Sequence, residues 1–265
     1  MRKKLYSICI VMLLLFIYAV SQSYAAQGFE YIPDAHTLAL WHMDEGGGDE
    51  LADESPNGFT GVVEGNPNWG EEDWKFDGNP GSSFVFDGNT LINIGPQEDL
   101  IFPEEITVEA WVYPESLDGW KLICTHWGGA VVGSWHFGVE AGTLKLHINT
   151  DAGTGFAGSQ QLALQEWQHV AGTYDSETIR VYVNGVETDA VNHGGDFDPG
   201  NPEHDVIIGS KSSRELNWNG LIDEVRISSV ARMPEELSPN LEGPQDVMYH
   251  VNSMPALWGA LKSQK

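Results

Sequence analysis

From Trp167 to Thr188 the chain reads WQHVAGTYDSETIRVYVNGVET, and its dipeptide Asn184-Gly185 constrains the fold more than any other feature. Asn-Gly supplies the positive φ at both central positions that a two-residue hairpin turn requires. Ile179–Val183 is therefore expected to pair with Val186–Val191. Alternation puts Ile179, Val181 and Val183 on one face, with Arg180 and Tyr182 on the other. The polar DSET turn ties the preceding run, Trp167–Tyr174, into the same meander. This is scaffold, since it carries no nucleophile, base or metal shell.

The same short rhythm runs along the chain. Leu38–Met43, Ser83–Phe86, Ile106–Tyr113, Leu144–Ile148 and Leu221–Ile227 also read as strands. Turn signals separate them: Pro56-Asn57-Gly58, Asp87-Gly88-Asn89 and Ala141-Gly142. No internal repeat is evident, and no amphipathic helix precedes the C-terminus. Many strands with close turns predict an all-β antiparallel sandwich or jelly roll.

The ends read differently. Arg2, Lys3 and Lys4, the apolar run Ile8–Val20 and the small-x-small triplet Ser23-Tyr24-Ala25 form a secretory signal peptide over 1–25, with cleavage after Ala25. The apolar run is short for a membrane span, an uncleaved anchor being the alternative. Cleavage leaves Cys124 as the single cysteine, which excludes an internal disulfide and thiolate zinc sites. Pro234–Leu237 fits one helical turn. Residues 238–265 are expected to be a tail with a short helix around Leu257, Trp258, Ala260 and Leu261.

Thirteen basic residues against 39 acidic ones give a formal charge of −26. Losing Arg2, Lys3 and Lys4 leaves 10 against 39, or −29. Such a surface repels phosphate backbones and anionic lipid, which argues against nucleic acid and membrane partners. It accommodates divalent cations.

One acid stands out. Strict alternation along Leu221–Ile227 aligns Asp223 with Leu221, Val225 and Ile227, and leaves Glu224 and Arg226 as an exposed pair worth little. A carboxylate among apolar neighbours needs a partner. Backbone N–H groups would serve, and so would a calcium ion, whose hard charge takes several oxygen ligands. Further oxygen donors lie at Asp44-Glu45-Gly46-Gly47-Gly48 and at Asp53-Glu54-Ser55-Pro56-Asn57-Gly58, with spacing unlike an EF-hand loop.

Seven segments in order resemble one family: WHMDEGGG from Trp41, DESPNGFTG from Asp53, FVFDG from Phe84, ITVEAWVYP from Ile106, WQHVAGTYD from Trp167, VYVNG from Val181 and NGLIDEVRI from Asn219. Together they are similar to LamG-like domains of the concanavalin A-like lectin/glucanase superfamily, over about residues 36–237. The resemblance implies a two-sheet antiparallel jelly roll with one structural calcium, held by Asp53, Asn57 and Asp223, with Asp44 as a further candidate. Pro56 and Phe59 depart from the Gly and Asn that the family commonly has in that loop.

The superfamily includes glucanases, so the resemblance also admits catalysis. A retaining glycosidase needs two carboxylates about 5 Å apart. The Glu-x-Asp-x-(x)-Glu strand is absent, and Glu109 has no second acid in its strand, so it reads as a structural, hydrogen-bonded residue. No Gly-x-Ser-x-Gly elbow occurs. His126, His136 and His169 lie in or beside strand motifs, where a satisfied core or edge role is expected. Sugars are held instead by aromatic faces and planar polar groups. Trp41, Trp111 and Trp167 belong to strand motifs, while Trp69, Trp74, Trp120, Trp127 and Trp218 fall in or near loops. Trp120 to Trp127, with His126 between them, form the first candidate platform, and Trp218 the second. The sequence thus predicts a secreted or cell-surface, non-catalytic module that binds glycan or an extracellular protein. A hydrolase of the same fold, and a spacer without small ligand, are the alternatives.

Overall fold

A computed structural model describes residues 30–70, 83–101, 104–128, 131–198 and 200–237. The expected signal peptide, the tail 238–265 and Trp74 lie outside these residues. Among the described residues, no helix is long and apolar enough to cross a membrane.

Sixteen strands follow in order: β1 Thr37–Trp41, β2 Glu50–Leu51, β3 Gly61–Glu64, β4 Trp69–Gly70, β5 Ser83–Asp87, β6 Leu91–Gly95, β7 Ile106–Pro114, β8 Trp120–Gly128, β9 Val131–Glu140, β10 Thr143–Thr150, β11 Gly153–Gln161, β12 Gln168–Tyr174, β13 Thr178–Val183, β14 Val186–Asn192, β15 Val206–Ile208 and β16 Asn219–Ser228. A one-turn helix, α1, covers Glu98–Ile101, and Pro234–Glu236 form a 3-10 turn. All pairings are antiparallel. The first sheet runs β14-β13-β12-β7-β16-β5-β4, with β1 also paired to β16. The second runs β11-β10-β9-β8-β15-β6-β3-β2. The expected two-sheet antiparallel jelly roll is the fold observed.

Period-2 patterning builds the core. On β7, Ile106, Val108, Ala110 and Val112 enter the space between the sheets, and on β9 and β10 Trp135, Phe137, Val139, Leu144, Leu146 and Ile148 meet them. Trp135 is fully buried and donates its indole N–H to the Leu100 carbonyl at 2.8 Å. Asn184 (φ 51°) and Gly185 (φ 74°) form the expected hairpin turn, with Val183 opposite Val186.

One expectation fails, at Leu221–Ile227. Asp223 lies opposite Trp111 but Arg226 lies opposite Glu109, so three steps on β16 match two on β7. A bulge absorbs the extra residue, with Glu224 in the left-handed region (φ 52°). Alternation is broken there. Ile222, Val225 and Ile227 enter the core, whereas Asp223 shares the outer face of the first sheet with Trp111. Asp223 is thus not aligned with Val225 and Ile227. Nor are Glu224 and Arg226 an exposed pair, since both are fully buried.

Candidate functional site

Each sheet has an outer face, and the two are occupied differently. On the first, the chain covers itself. Tyr31 packs against it, its hydroxyl donating to Glu109 Oε2 at 2.7 Å and lying 2.8 Å from His169 Nε2. Its ring lies over the Arg226 guanidinium, 3.8 Å from the ring centre, and its backbone N–H donates to Glu224 Oε2. Arg226 Nε donates to Glu109 Oε1 at 2.7 Å, with both side chains fully buried. Burial alone would raise the Glu109 pKa, but the adjacent Arg226 charge and the His169 bond outweigh it and hold the carboxyl at about 2. Glu224 also bonds His42 Nδ1 at 2.9 Å. Arg232 reaches Asp34 from the C-terminal side, which holds that carboxyl far below the usual carboxylate range. Glu109 is thus a hydrogen-bonded acid, as expected, and it is fully buried in this cluster.

Of the residues named for calcium, Asp53, Asn57 and Asp223 are bonded within the chain. Asp53 Oδ1 accepts from the Leu40 and Ser55 N–H groups at 2.9 and 2.8 Å, and Oδ2 from Ser55 Oγ and the Phe59 N–H at 2.8 and 2.7 Å. Asn57 turns its amide nitrogen to the Leu38 carbonyl. Asp44 is exposed, and Asp223 Oδ1 accepts the Glu224 N–H at 2.8 Å. Among the described residues, no three His, Cys, Asp or Glu side chains gather as a cation site. The donors therefore do not fit the calcium that the resemblance implies: the Asp53 lone pairs are committed to the loop itself. Two outcomes follow. Asp53→Ala is expected to cost about 2–3 kcal/mol in chemical denaturation, because it orphans a set of donors. EDTA is expected to leave the melting temperature unchanged. A drop on chelation, restored by calcium, would show that the loop rearranges around an ion.

The outer face of the second sheet carries aromatic rings from four adjacent strands. In register, Thr125 on β8 faces His136 on β9, His136 faces His147 on β10, and His147 faces Phe156 on β11. Trp127 stacks on His136 (4.6 Å between ring centres), His136 on His147 (4.1 Å) and His147 on Phe156 (4.9 Å). Trp120 lies tilted across this row, at 6.0, 5.6 and 5.4 Å from Trp127, His136 and His147. His136 and His147 are buried, Trp120 and Trp127 are partly exposed, and Phe156 is exposed. Lysines flank both ends: Lys145 lies over Phe156 and pairs with Glu140, and Lys211 lies over Trp127 and pairs with Glu215. Gly138 is required beside the row. A β-bulge at Leu122–Cys124 draws β8 so close that a Cβ there would meet the Lys121 carbonyl at 2.4 Å.

Trp120 and Trp127 are therefore the exposed indoles of a platform, on a strand rather than in a loop. His126, by contrast, is fully buried and hydrogen-bonded to Ser134 Oγ at 2.8 Å, so it contributes no surface. Trp218 is also corrected: it is fully buried in the core and offers no face to a ligand. His136, expected in a satisfied core or edge role, belongs to the row instead, together with His147 and Phe156, which no motif singles out. Their alternation with core residues (Trp135, Phe137; Leu146, Ile148) was visible, but only cross-strand register brings the rings together.

Comparison with known proteins gives a consistent fold. The Laminin_G_3 family model of the Concanavalin A-like lectin/glucanases superfamily matches residues 86–238. Pappalysin-1 of Mus musculus is 33% identical over 79 residues, which is 29% of this chain and 5% of that protein. The chain thus spans a small fraction of that relative. Among solved structures, domain 4 of AbnA, a GH43 extracellular arabinanase from Geobacillus stearothermophilus in complex with arabinotriose, superposes with a TM-score of 0.55 at 20% identity, over 79% of this chain and all of that domain. The binding domain of Paraclostridial Mosquitocidal Protein 1 gives 0.58 at 14% identity, over 78% of this chain and 52% of that one. The binding domain of Botulinum Neurotoxin DC in complex with SialylT gives 0.55 at 11%, over 78% and 51%. At these identities the likeness carries the fold.

Proposed function

The chain belongs to the laminin G group of the concanavalin A-like lectin/glucanase superfamily, and from that premise we propose that it is a non-catalytic carbohydrate-binding module acting outside the cell or at its surface. One observation carries this reading. Partly exposed Trp120 and Trp127 and exposed Phe156 stand on one sheet face beside two Lys–Glu pairs. Aromatic surface for sugar C–H faces and planar polar groups for hydroxyls are what a glycan site needs. The glycans named with the AbnA domain and the neurotoxin domain support it. So does the signal peptide expected over residues 1–25, which argues for an extracellular location.

Hydrolysis finds less support. Glu109 is sealed beneath Tyr31 and committed to Arg226, while Glu140 is paired with Lys145. No described pair of carboxylates flanks the platform in the way a glycosidase requires.

The test is a printed array of plant, microbial and animal glycans, with arabinotriose titrated in parallel. Trp120→Ala is expected to weaken binding roughly tenfold or more, a change of about 1.4 kcal/mol, without altering the melting temperature. Wild-type protein that binds no glycan, or Trp120→Ala protein that binds as wild type, would sink this reading.

A further inference from the structure

The row beneath Trp120 contains four buried nitrogens with no hydrogen-bond partner: Nδ1 and Nε2 of His136, Nε2 of His147 and Nε1 of Trp127. Buried polar side-chain atoms are nearly always bonded, and a neutral imidazole carries one donor and one acceptor, each wanting a partner. Here the four belong to three rings stacked in a row, with His136 in the middle, and one further ring, Trp120, touches all three. Stacking alone does not account for histidine: Phe156 fills the same row as a hydrocarbon. The two imidazoles therefore carry hydrogen-bonding capacity that the chain itself does not use.

Trp120 is placed to uncover it. It opens β8 directly after Gly119 (φ 67°), at the partly exposed edge of the row, where its indole bonds Glu140 rather than the imidazoles beneath it. The nearby charges are balanced, since Lys145 pairs with Glu140 and Lys211 with Glu215. The site is thus neutral within a chain of formal charge −26. A hydroxyl both donates and accepts, as an imidazole edge demands, whereas a carboxylate only accepts.

We propose that Trp120 is a movable cover over a carbohydrate subsite, in which neighbouring hydroxyls of a neutral sugar bond the ring nitrogens of His136 and His147 and the indole N–H of Trp127. The inference rests on the glycan-binding reading above and adds its specificity: a neutral, diol-bearing unit, read by two histidines. Trp120 then stacks on the sugar instead of on the imidazoles.

The experiment uses His136→Phe and His147→Phe, which keep a ring in the row and remove its nitrogens, together with Trp127→Phe and Trp120→Ala. Each is tested on the glycan array and against arabinotriose, with thermal melts in parallel. Both His→Phe variants are expected to lose roughly tenfold or more in affinity while melting at or above the wild-type temperature, because unpartnered buried groups have been removed. Trp127→Phe is expected to lose affinity at an unchanged melting temperature. His→Phe variants that bind within about twofold of wild type would overturn the subsite. So would a melt lowered by several degrees, since the nitrogens would then have partners inside the fold. If Trp120→Ala abolishes binding and the His→Phe variants retain it, the platform stands and only the subsite falls. If wild-type protein binds nothing, both fall.

Discussion

Arg226→Met is expected to lower stability by about 3–5 kcal/mol, measured by chemical denaturation. Methionine fills much of the arginine volume, so the loss is electrostatic. It leaves Glu109, fully buried, with Tyr31 and His169 as its bonded partners and the Arg232 charge acting only through space. In a domain of this size each kcal/mol moves the melting temperature by about 2–4 °C, so a drop on the order of 10 °C is expected. Adding Glu109→Gln to Arg226→Met should recover part of the loss, because no uncompensated charge then remains. A single-variant loss below about 1 kcal/mol would mean that water reaches this cluster and that Tyr31 does not seal it.

Acid should act on the second sheet. Burial, aided by the charge of His204, pushes His126 down to about 4, and burial with Lys145 alongside does the same to His147. His136 is pushed well below the ordinary imidazole range by burial and by His147. The unfolded chain takes up these protons near pH 6.5. Depressed native values mean that the stabilisation is complete above about pH 6.5 and is lost as pH falls toward 4. Each of His126 and His147 can account for on the order of 2–3 kcal/mol of that loss. His42 works the other way, because Glu224 raises its pKa and its contribution is retained in acid. A thermal melt series from pH 7 to pH 4 should therefore fall steadily, and a His136→Phe/His147→Phe double variant should flatten the slope. A slope equal to wild type would show that these rings titrate normally. In that case the stacked row is open to water.

Local chemistry made most of the sandwich readable. Asn184-Gly185 fixed a hairpin by its φ demands alone, and the runs at Ile106, Leu144 and Thr178 alternate cleanly because each faces one core. Asp223 was misplaced for a specific reason. The extra residue on β16 is accommodated by a non-glycine, Glu224, at positive φ, and no residue type in LIDEVRI announces a bulge. Glu224 and Arg226 looked solvent-facing because the chain that buries them, around Tyr31, lies 193 residues from Glu224. The site divides along the same line. Trp120 and Trp127 stood out by residue type, whereas His136 and His147 became part of it only through the pairing of β9 with β10. Trp218 illustrates the limit from the other side: composition gives a large ring, and only packing says whether a face is left over.

Tyr31 and Leu237, near the two ends of the described residues, both lie against the outside of the first sheet, the latter beside Ala171 and Tyr182. Both residues are therefore on the back of the sandwich, a full two layers from the Trp120 row. Among the described residues the chain thus enters and leaves on the side away from Trp120, Trp127 and Phe156.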